Sequence, residues 1–160
     1  MQAIRAAAEA LLLSGCADLR AAIEGLGDEA LLWVPAPETS PLATLVRHAT
    51  SSTRYQLGAA ATGSADALAY TRAERPAAFA GKPGDFAELS RVITTLETAI
   101  PVLVAQIPDS GLDAPVTFNA PREGGPPTRA WMLLHSLDHL REHVGHAQLT
   151  RQMWEGRTKE

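Results

Sequence analysis

Apolar residues recur at three- and four-residue intervals in four stretches of the chain, which is the spacing that gathers them on one face of a helix. Between these stretches the pattern is broken by proline, glycine and polar residues. The chain is therefore predicted to be all-α, with four long helices. Their predicted positions are residues 2–26, 41–60, 85–107 and 128–154.

Several residues at the predicted helix boundaries have the chemistry of start or stop signals. Ser40 offers a capping hydroxyl, and the ring of Pro41 suits a first helical turn because no amide partner is needed there. Asp85 and Glu88 have the spacing of a capping box, and Thr128 is the candidate N-cap of the fourth helix. Pro101 is expected to kink the third helix or to end it near residue 100, because proline removes an internal hydrogen bond.

Three connections separate the predicted helices: residues 34–38, 58–84 and 108–127. The second is long enough to cross the length of a bundle, which would place helices two and three parallel. Within the third, residues 115–118 could form a short strand pair. The length of 160 residues and the absence of an internal repeat predict one domain spanning residues 1–160.

Composition narrows the classes of function. The formal charge is −4 and the 14 Lys and Arg residues are spread along the chain, so nucleic acid is not an expected partner. No apolar run approaches the length of a membrane span and the N-terminus lacks a signal-peptide core, so a cytoplasmic protein is expected. Cys16 is the one cysteine, which excludes an internal disulfide and a cysteine zinc site. We interpret it as a small core residue.

Histidines are concentrated in the fourth predicted helix, where His135, His139, His143 and His146 fall within twelve residues. Histidines four residues apart on a helix have Cβ atoms about 6 Å apart and can share one metal ion. The pair 135/139 and the pair 139/143 both have this spacing. All three cannot share an ion, because residues eight apart are separated by about 12 Å along the axis. A third ligand must come from another helix, where His48 is the remaining histidine.

Imidazole nitrogen is a good ligand for zinc, nickel, iron and copper. Three protein ligands leave one position open for water or substrate, which is typical of a catalytic zinc site. The competing interpretation is that these histidines are ordinary, partly buried polar residues, since two histidines four apart on a helix are common by chance.

Three segments carry a resemblance to a known group of proteins. Residues 32–37 read Leu-Trp-Val-Pro-Ala-Pro, and residues 40–48 read Ser-Pro-Leu-Ala-Thr-Leu-Val-Arg-His, which ends on His48. Residues 139–145 read His-Leu-Arg-Glu-His-Val-Gly. This layout resembles the DinB/YfiT-like superfamily of metal-binding four-helix bundles. The resemblance implies His48, His139 and His143 as metal ligands, and His146 stands where the superfamily often has glutamine.

The resemblance also implies an up-down-down-up bundle with a long crossover between helices two and three, frequently dimeric. Characterised members include transferases and isomerases that use mycothiol, bacillithiol or glutathione. We therefore expect a homodimer that binds a divalent ion, zinc or nickel before iron or manganese, and acts on a low-molecular-weight thiol as an S-transferase or as a related hydrolase or isomerase. Two alternatives are a non-catalytic metal-binding or stress-response protein and a plain interaction bundle with incidental histidines.

Other side chains are candidates for the same site, although no catalytic residue is assigned. Ser51, Ser52 and Tyr55 follow His48 on the same predicted helix, and Glu142 lies between the paired histidines. Arg72 and Arg75, in the long second connection, could hold a substrate carboxylate. Packing or solvated roles are the competing interpretation for each of them. The site pocket is expected to be framed by the connections before helices three and four.

Overall fold

The computed structural model describes residues 2–65, 85–118 and 124–157. Within these ranges it contains five helices and no strand, only two isolated β-bridges, so the all-α prediction is confirmed. Arg72 and Arg75 and most of the long second connection lie outside the described residues. The helices are α1 Gln2–Ile23, α2 Asp28–Leu32, α3 Leu42–Thr62, α4 Phe86–Gln106 and α5 Arg129–Arg157.

The starts of the helices follow the sequence signals in two cases out of three. The side chain of Asp85 accepts a hydrogen bond from the backbone N–H of Glu88 at 2.7 Å, as predicted for α4. Thr128 caps α5 by accepting a bond from the N–H of Trp131 at 3.1 Å. The capping role given to Ser40 is wrong, because Pro41 occupies the N-cap position of α3 and none of the described side chains caps this helix.

Helix α4 does not end near residue 100, because it continues through Pro101 to Gln106. Pro101 is exposed, whereas Ile100 and Val104 on either side of it are buried in the core. Proline inside a helix costs about 3 kcal/mol. Burying two aliphatic side chains contributes about 1.5 to 3 kcal/mol each, which outweighs that cost.

Two smaller features differ from the sequence prediction. Helix α2 has five residues, too few for a periodic pattern, and buries Ala30 and Leu31. The strand pair suggested at residues 115–118 is reduced to isolated bridges, in which Thr117 pairs with Ser64 and Pro115 pairs with Thr128.

Helix α3 is the most buried of the four long helices, with sixteen of its 21 residues in the interior. It packs against α4 and α5, and α1 packs against the same two helices. Ion pairs join these neighbours. Arg47 on α3 forms a bidentate ion pair with Glu88 on α4, and Arg20 on α1 forms an ion pair with Glu97 on α4. Because α3 is buried between its neighbours, His48 on this helix lies in the interior of the protein.

The position of α5 along α3 is fixed at one end by Arg129. Its guanidinium donates hydrogen bonds to the carbonyls of Ala60, Ala61 and Thr62 at the end of α3. The two helices run in opposite directions from this contact. His48 lies fourteen residues back from Thr62, and His143 lies fourteen residues forward from Arg129. This alignment places His48 and His143 at the same height along the two helix axes, where their side chains can meet.

Candidate metal centre

The three candidate ligands come from two helices whose core-facing residues orient them. On α5, Leu140 and Val144 are buried in the core, and His139 and His143 each directly precede one of them. Both histidines therefore lie at the edge of the core stripe, half-buried. On α3, His48 is 9% exposed.

The three rings form a compact cluster. The centroid distances are 4.5 Å for His139–His143, 5.0 Å for His48–His139 and 4.8 Å for His48–His143. One ring nitrogen from each residue can be chosen so that all three lie within 4.8 Å of one another. Among the His, Cys, Asp and Glu side chains of the described residues, these three histidines form a group close enough to hold a metal ion.

The donor atoms fit an ion of ordinary size. The Nε2 atoms of His139 and His143 are 3.3 Å apart. Two nitrogens bound to zinc at about 2.0 to 2.1 Å with a tetrahedral angle lie about 3.3 to 3.4 Å from each other. Without an ion, the same distance accommodates an N–H···N hydrogen bond, with roles set by the tautomers. The Nε2 pair is thus placed for joint coordination with little movement.

Burial favours the neutral, metal-binding form of His143. Desolvation lowers the pKa of His143 below its ordinary value of 6.5; Glu142 opposes this shift, and His146 adds to it. The Nδ1 of His143 is buried and has no hydrogen-bond partner among the described residues. A metal ligand must be a neutral imidazole, so the surroundings of His143 suit coordination.

The other two histidines of α5 lie outside this cluster. His135 stacks on Trp131 with ring centroids 4.4 Å apart, and its own centroid is 5.8 Å from that of His139. His146 is exposed, and its ring centroid is 5.6 Å from that of His143. The structure thus brings together the three histidines that the superfamily resemblance implies and leaves His135 one turn away.

A pocket of about 410 Å³ opens beside the cluster. His48 and His143 belong to its wall, whereas His139 does not. The connection before α3 contributes to its rim, whereas the connections before α4 and α5, which were expected to frame the pocket, lie partly outside the described residues. The lining residues are Pro35, Ala36, Glu38, Thr39, Ser40, Leu45, His48, His143, His146, Leu149, Thr150 and Met153.

Glu38 is a pocket residue that sequence reasoning missed. It has a φ of 67°, a left-handed conformation that non-glycine residues rarely adopt. The hydroxyl of Thr39 holds this turn by bonding both the N–H and the carbonyl of Ala36. Nothing in the sequence signals this conformation, because Asn or Gly would be the usual residue there.

The remaining candidates have structural roles. Cys16 is fully buried, and burial raises its pKa to about 12, with Glu97 adding to the rise and Arg20 opposing it. A thiol with such a pKa is not a nucleophile near neutral pH. Ser52 is buried and accepts a bond from Gln56, while Tyr55 packs against the core.

Glu142 is exposed on the surface of α5.

None of the described helices combines the length and the apolar character that crossing a membrane requires.

The helical fold and the cluster of histidines shared by α3 and α5 are those of a DinB/YfiT-like protein. A family model described as mycothiol S-transferase matches residues 8–156, nearly the whole chain. The chain belongs to this family, which is part of the DinB/YfiT-like superfamily. Neither the curated proteins nor the solved structures contain a significant match.

Proposed function

We propose that this protein is a metal-dependent thiol S-transferase that joins the sulfur of a small thiol to an electrophilic carbon, with mycothiol as the first thiol to test. The observation that carries the proposal is the three-histidine cluster at the wall of an open pocket, in a chain of the mycothiol S-transferase family. In the reaction, a sulfur–carbon bond forms, the bond from carbon to the leaving group breaks, and the thiol proton passes to solvent.

His48, His139 and His143 would hold one divalent ion through their ring nitrogens. Zinc or nickel suits three imidazoles best. When bound, such an ion supplies a positive charge that lowers the pKa of a thiol and so favours thiolate, the reactive nucleophile. The chain itself contributes neutral imidazoles, a half-buried setting that limits water around them, and an approach through the pocket between His48 and His143.

We extend the proposal to the fold. An up-down-down-up bundle is supported by contacts at several levels. Arg5 on α1 bonds the carbonyl of Ile107, while Arg20 of the same helix bonds Glu97, so α1 and α4 run in opposite directions. The ion pair of Arg47 with Glu88 joins the beginnings of α3 and α4, as the proposed parallel arrangement of these two helices requires. A single domain over residues 1–160 and a homodimer complete the proposed architecture.

The test combines metal content with turnover. Elemental analysis of purified protein should give one divalent ion per chain, and mycothiol should be consumed with chlorodinitrobenzene in a metal-dependent reaction. His48→Ala and His139→Ala should lose both metal and turnover. His135→Ala is the matched control on α5 and should keep both, because His135 lies outside the cluster.

Two results would contradict the proposal. Full turnover by His48→Ala, or by chelated wild type, would remove the metal from the reaction. Stoichiometric metal with no turnover of mycothiol, bacillithiol or glutathione would favour a non-catalytic metal-binding protein.

A further inference from the structure

Residues 32–41, between α2 and α3, form a strap along one side of the pocket. Both ends are anchored in the core, because Leu31 and Leu42 are fully buried, but none of the residues between them is buried. A segment with few buried apolar contacts opens at a low cost in free energy unless another contact holds it. The strap nevertheless contributes five residues to the pocket wall: Pro35, Ala36, Glu38, Thr39 and Ser40.

An aromatic contact ties this strap to the end of α5. The rings of Trp33 and Trp154 meet edge to face, with centroids 5.8 Å apart and planes at 62°. The guanidinium carbon of Arg157 lies 3.8 Å from the ring centroid of Trp154 and 5.3 Å from that of Trp33. Arg157 also forms an ion pair with Glu29 on α2 at 3.3 Å. Rings in this arrangement attract each other, and a cation above a ring adds to the attraction. We call Trp33, Trp154 and Arg157 the latch.

The latch adjoins the pocket on both sides of the ring contact. Trp33 is two residues before Pro35, and Trp154 directly follows Met153. Pro35 and Met153 both line the pocket, the first on the strap and the second on α5. Separation of the two rings would therefore let the strap move away from α5 and widen the pocket.

We infer that the strap is a cover for a ligand in this pocket, and that the latch sets how firmly the cover closes. The ligand is apolar or has an apolar part, because most of the exposed pocket wall is apolar, with Leu45, Leu149 and Met153 on its helical side. His48 and His143 also belong to the wall, so the ligand lies beside the candidate metal centre. Apparent affinity scales with the fraction of molecules in which the binding site is formed.

The inference goes beyond the proposed function and does not rest on it, because binding under the cover requires no thiol transfer. The test measures the binding of phenylnaphthylamine, a neutral apolar dye that becomes brighter when it leaves water, to the purified protein. Trp154→Leu removes one ring of the latch and keeps an apolar side chain, whereas Trp154→Phe keeps a ring. Trp131→Leu is the matched control, because Trp131 is on the same helix, is 47% exposed, stacks on His135 and does not line the pocket.

Trp154→Leu should raise the Kd of the dye about three- to tenfold, mainly through faster dissociation. A tenfold change corresponds to about 1.4 kcal/mol, which is within the range of one aromatic pair. Trp33→Leu should have an effect of the same size. The double variant should bind no more weakly than either single variant, because both substitutions remove the same contact. Trp154→Phe and Trp131→Leu should stay within about twofold of wild type, and metal content should be the same in every variant.

A second pair of variants tests whether the dye occupies this pocket. Leu149 and Leu134 are both on α5 and are 56% and 59% exposed, but Leu134 does not line the pocket. Leu149→Gln should therefore weaken dye binding, and Leu134→Gln should leave it unchanged. Equal affinities of these two variants would contradict a ligand site in the pocket.

Two other results would overturn the role of the latch. Wild-type affinity in both Trp33→Leu and Trp154→Leu would show that other contacts hold the strap in place. A loss of metal that parallels the loss of dye binding would assign the aromatic contact to the metal centre instead of the cover. None of these measurements involves turnover of mycothiol, so failure of the transferase proposal is a separate outcome.

Discussion

Arg129 is the contact that sets the alignment of α5 on α3, and its removal should destabilise the protein measurably. The guanidinium donates to the carbonyls of Ala61 at 2.7 Å, Ala60 at 3.1 Å and Thr62 at 3.2 Å. A hydrogen bond from a charged donor contributes about 1.5 to 3 kcal/mol. Only the hydrogen bond to Ala61 is short, and water can reach the half-buried guanidinium and replace part of what is lost. We therefore expect Arg129→Ala to lower the free energy of unfolding by about 2 kcal/mol in total.

Gly63 makes this contact possible, which provides a sharper test. Its φ of 78° is left-handed, and a Cβ built on it would collide with the Arg129 guanidinium. Gly63→Ala should therefore cost about 1 kcal/mol for the backbone and about 2 kcal/mol more for displacing Arg129. In an Arg129→Ala background only the backbone cost should remain. The coupling free energy in the double-mutant cycle should be about 2 kcal/mol.

The assay is urea unfolding followed by circular dichroism, with metal removed by chelator in every sample. Arg54→Ala is the control, since Arg54 is an exposed arginine on α3, the helix that ends next to Gly63, and should change stability by less than about 0.5 kcal/mol. Additive effects of Gly63→Ala and Arg129→Ala, within about 0.5 kcal/mol, would refute the reasoning.

Three further expectations concern Cys16, His143 and assembly. Cys16 should resist alkylation at neutral pH until the protein is denatured, because its pKa of about 12 and its burial suppress thiolate; rapid alkylation of folded protein would contradict this. Because the pKa of His143 is lowered in the folded protein, a fall in pH protonates this imidazole in the unfolded chain before it does so in the folded protein. In chelated protein, the contribution of His143 to the free energy of unfolding should therefore be present above about pH 6.5 and be lost as the pH falls below it. The loss should be smaller in His143→Gln. Multi-angle light scattering should give twice the chain mass of 17.0 kDa, and a monomer at micromolar concentration would reject the homodimer.

The helices could be predicted because their apolar faces are long and regular. Pro101 shows the limit of local signals, because the burial of Ile100 and Val104 sustains a helix that proline alone would end. Helix α2 is too short to give a period at all. These differences arise where packing, which the sequence pattern does not display, outweighs local preference.

The histidine site was only partly accessible from spacing. The four-residue interval from His139 to His143 shows that both can reach one ion, but the interval from His135 to His139 is equal. The partner on α3 is some ninety residues away in sequence, so its approach depends on how α3 and α5 align. The resemblance implied His48, and the Arg129 contact explains how the two helices come level. The contribution of Glu38 to the pocket was not foreseen, because nothing in the sequence indicates its left-handed conformation.

The thermal unfolding of wild type and His48→Ala, each with zinc or nickel and with chelator at about pH 7.5, tests the central claim most directly. An ion bound only by the native state stabilises by about 2.7 kcal/mol when free metal is a hundred times Kd. Wild type should therefore melt several degrees higher with metal, while chelated protein should stay helical because the apolar core remains. His48→Ala should lose most of that increment. No metal-dependent shift in wild type, or the full shift in His48→Ala, would contradict a metal centre formed by His48, His139 and His143.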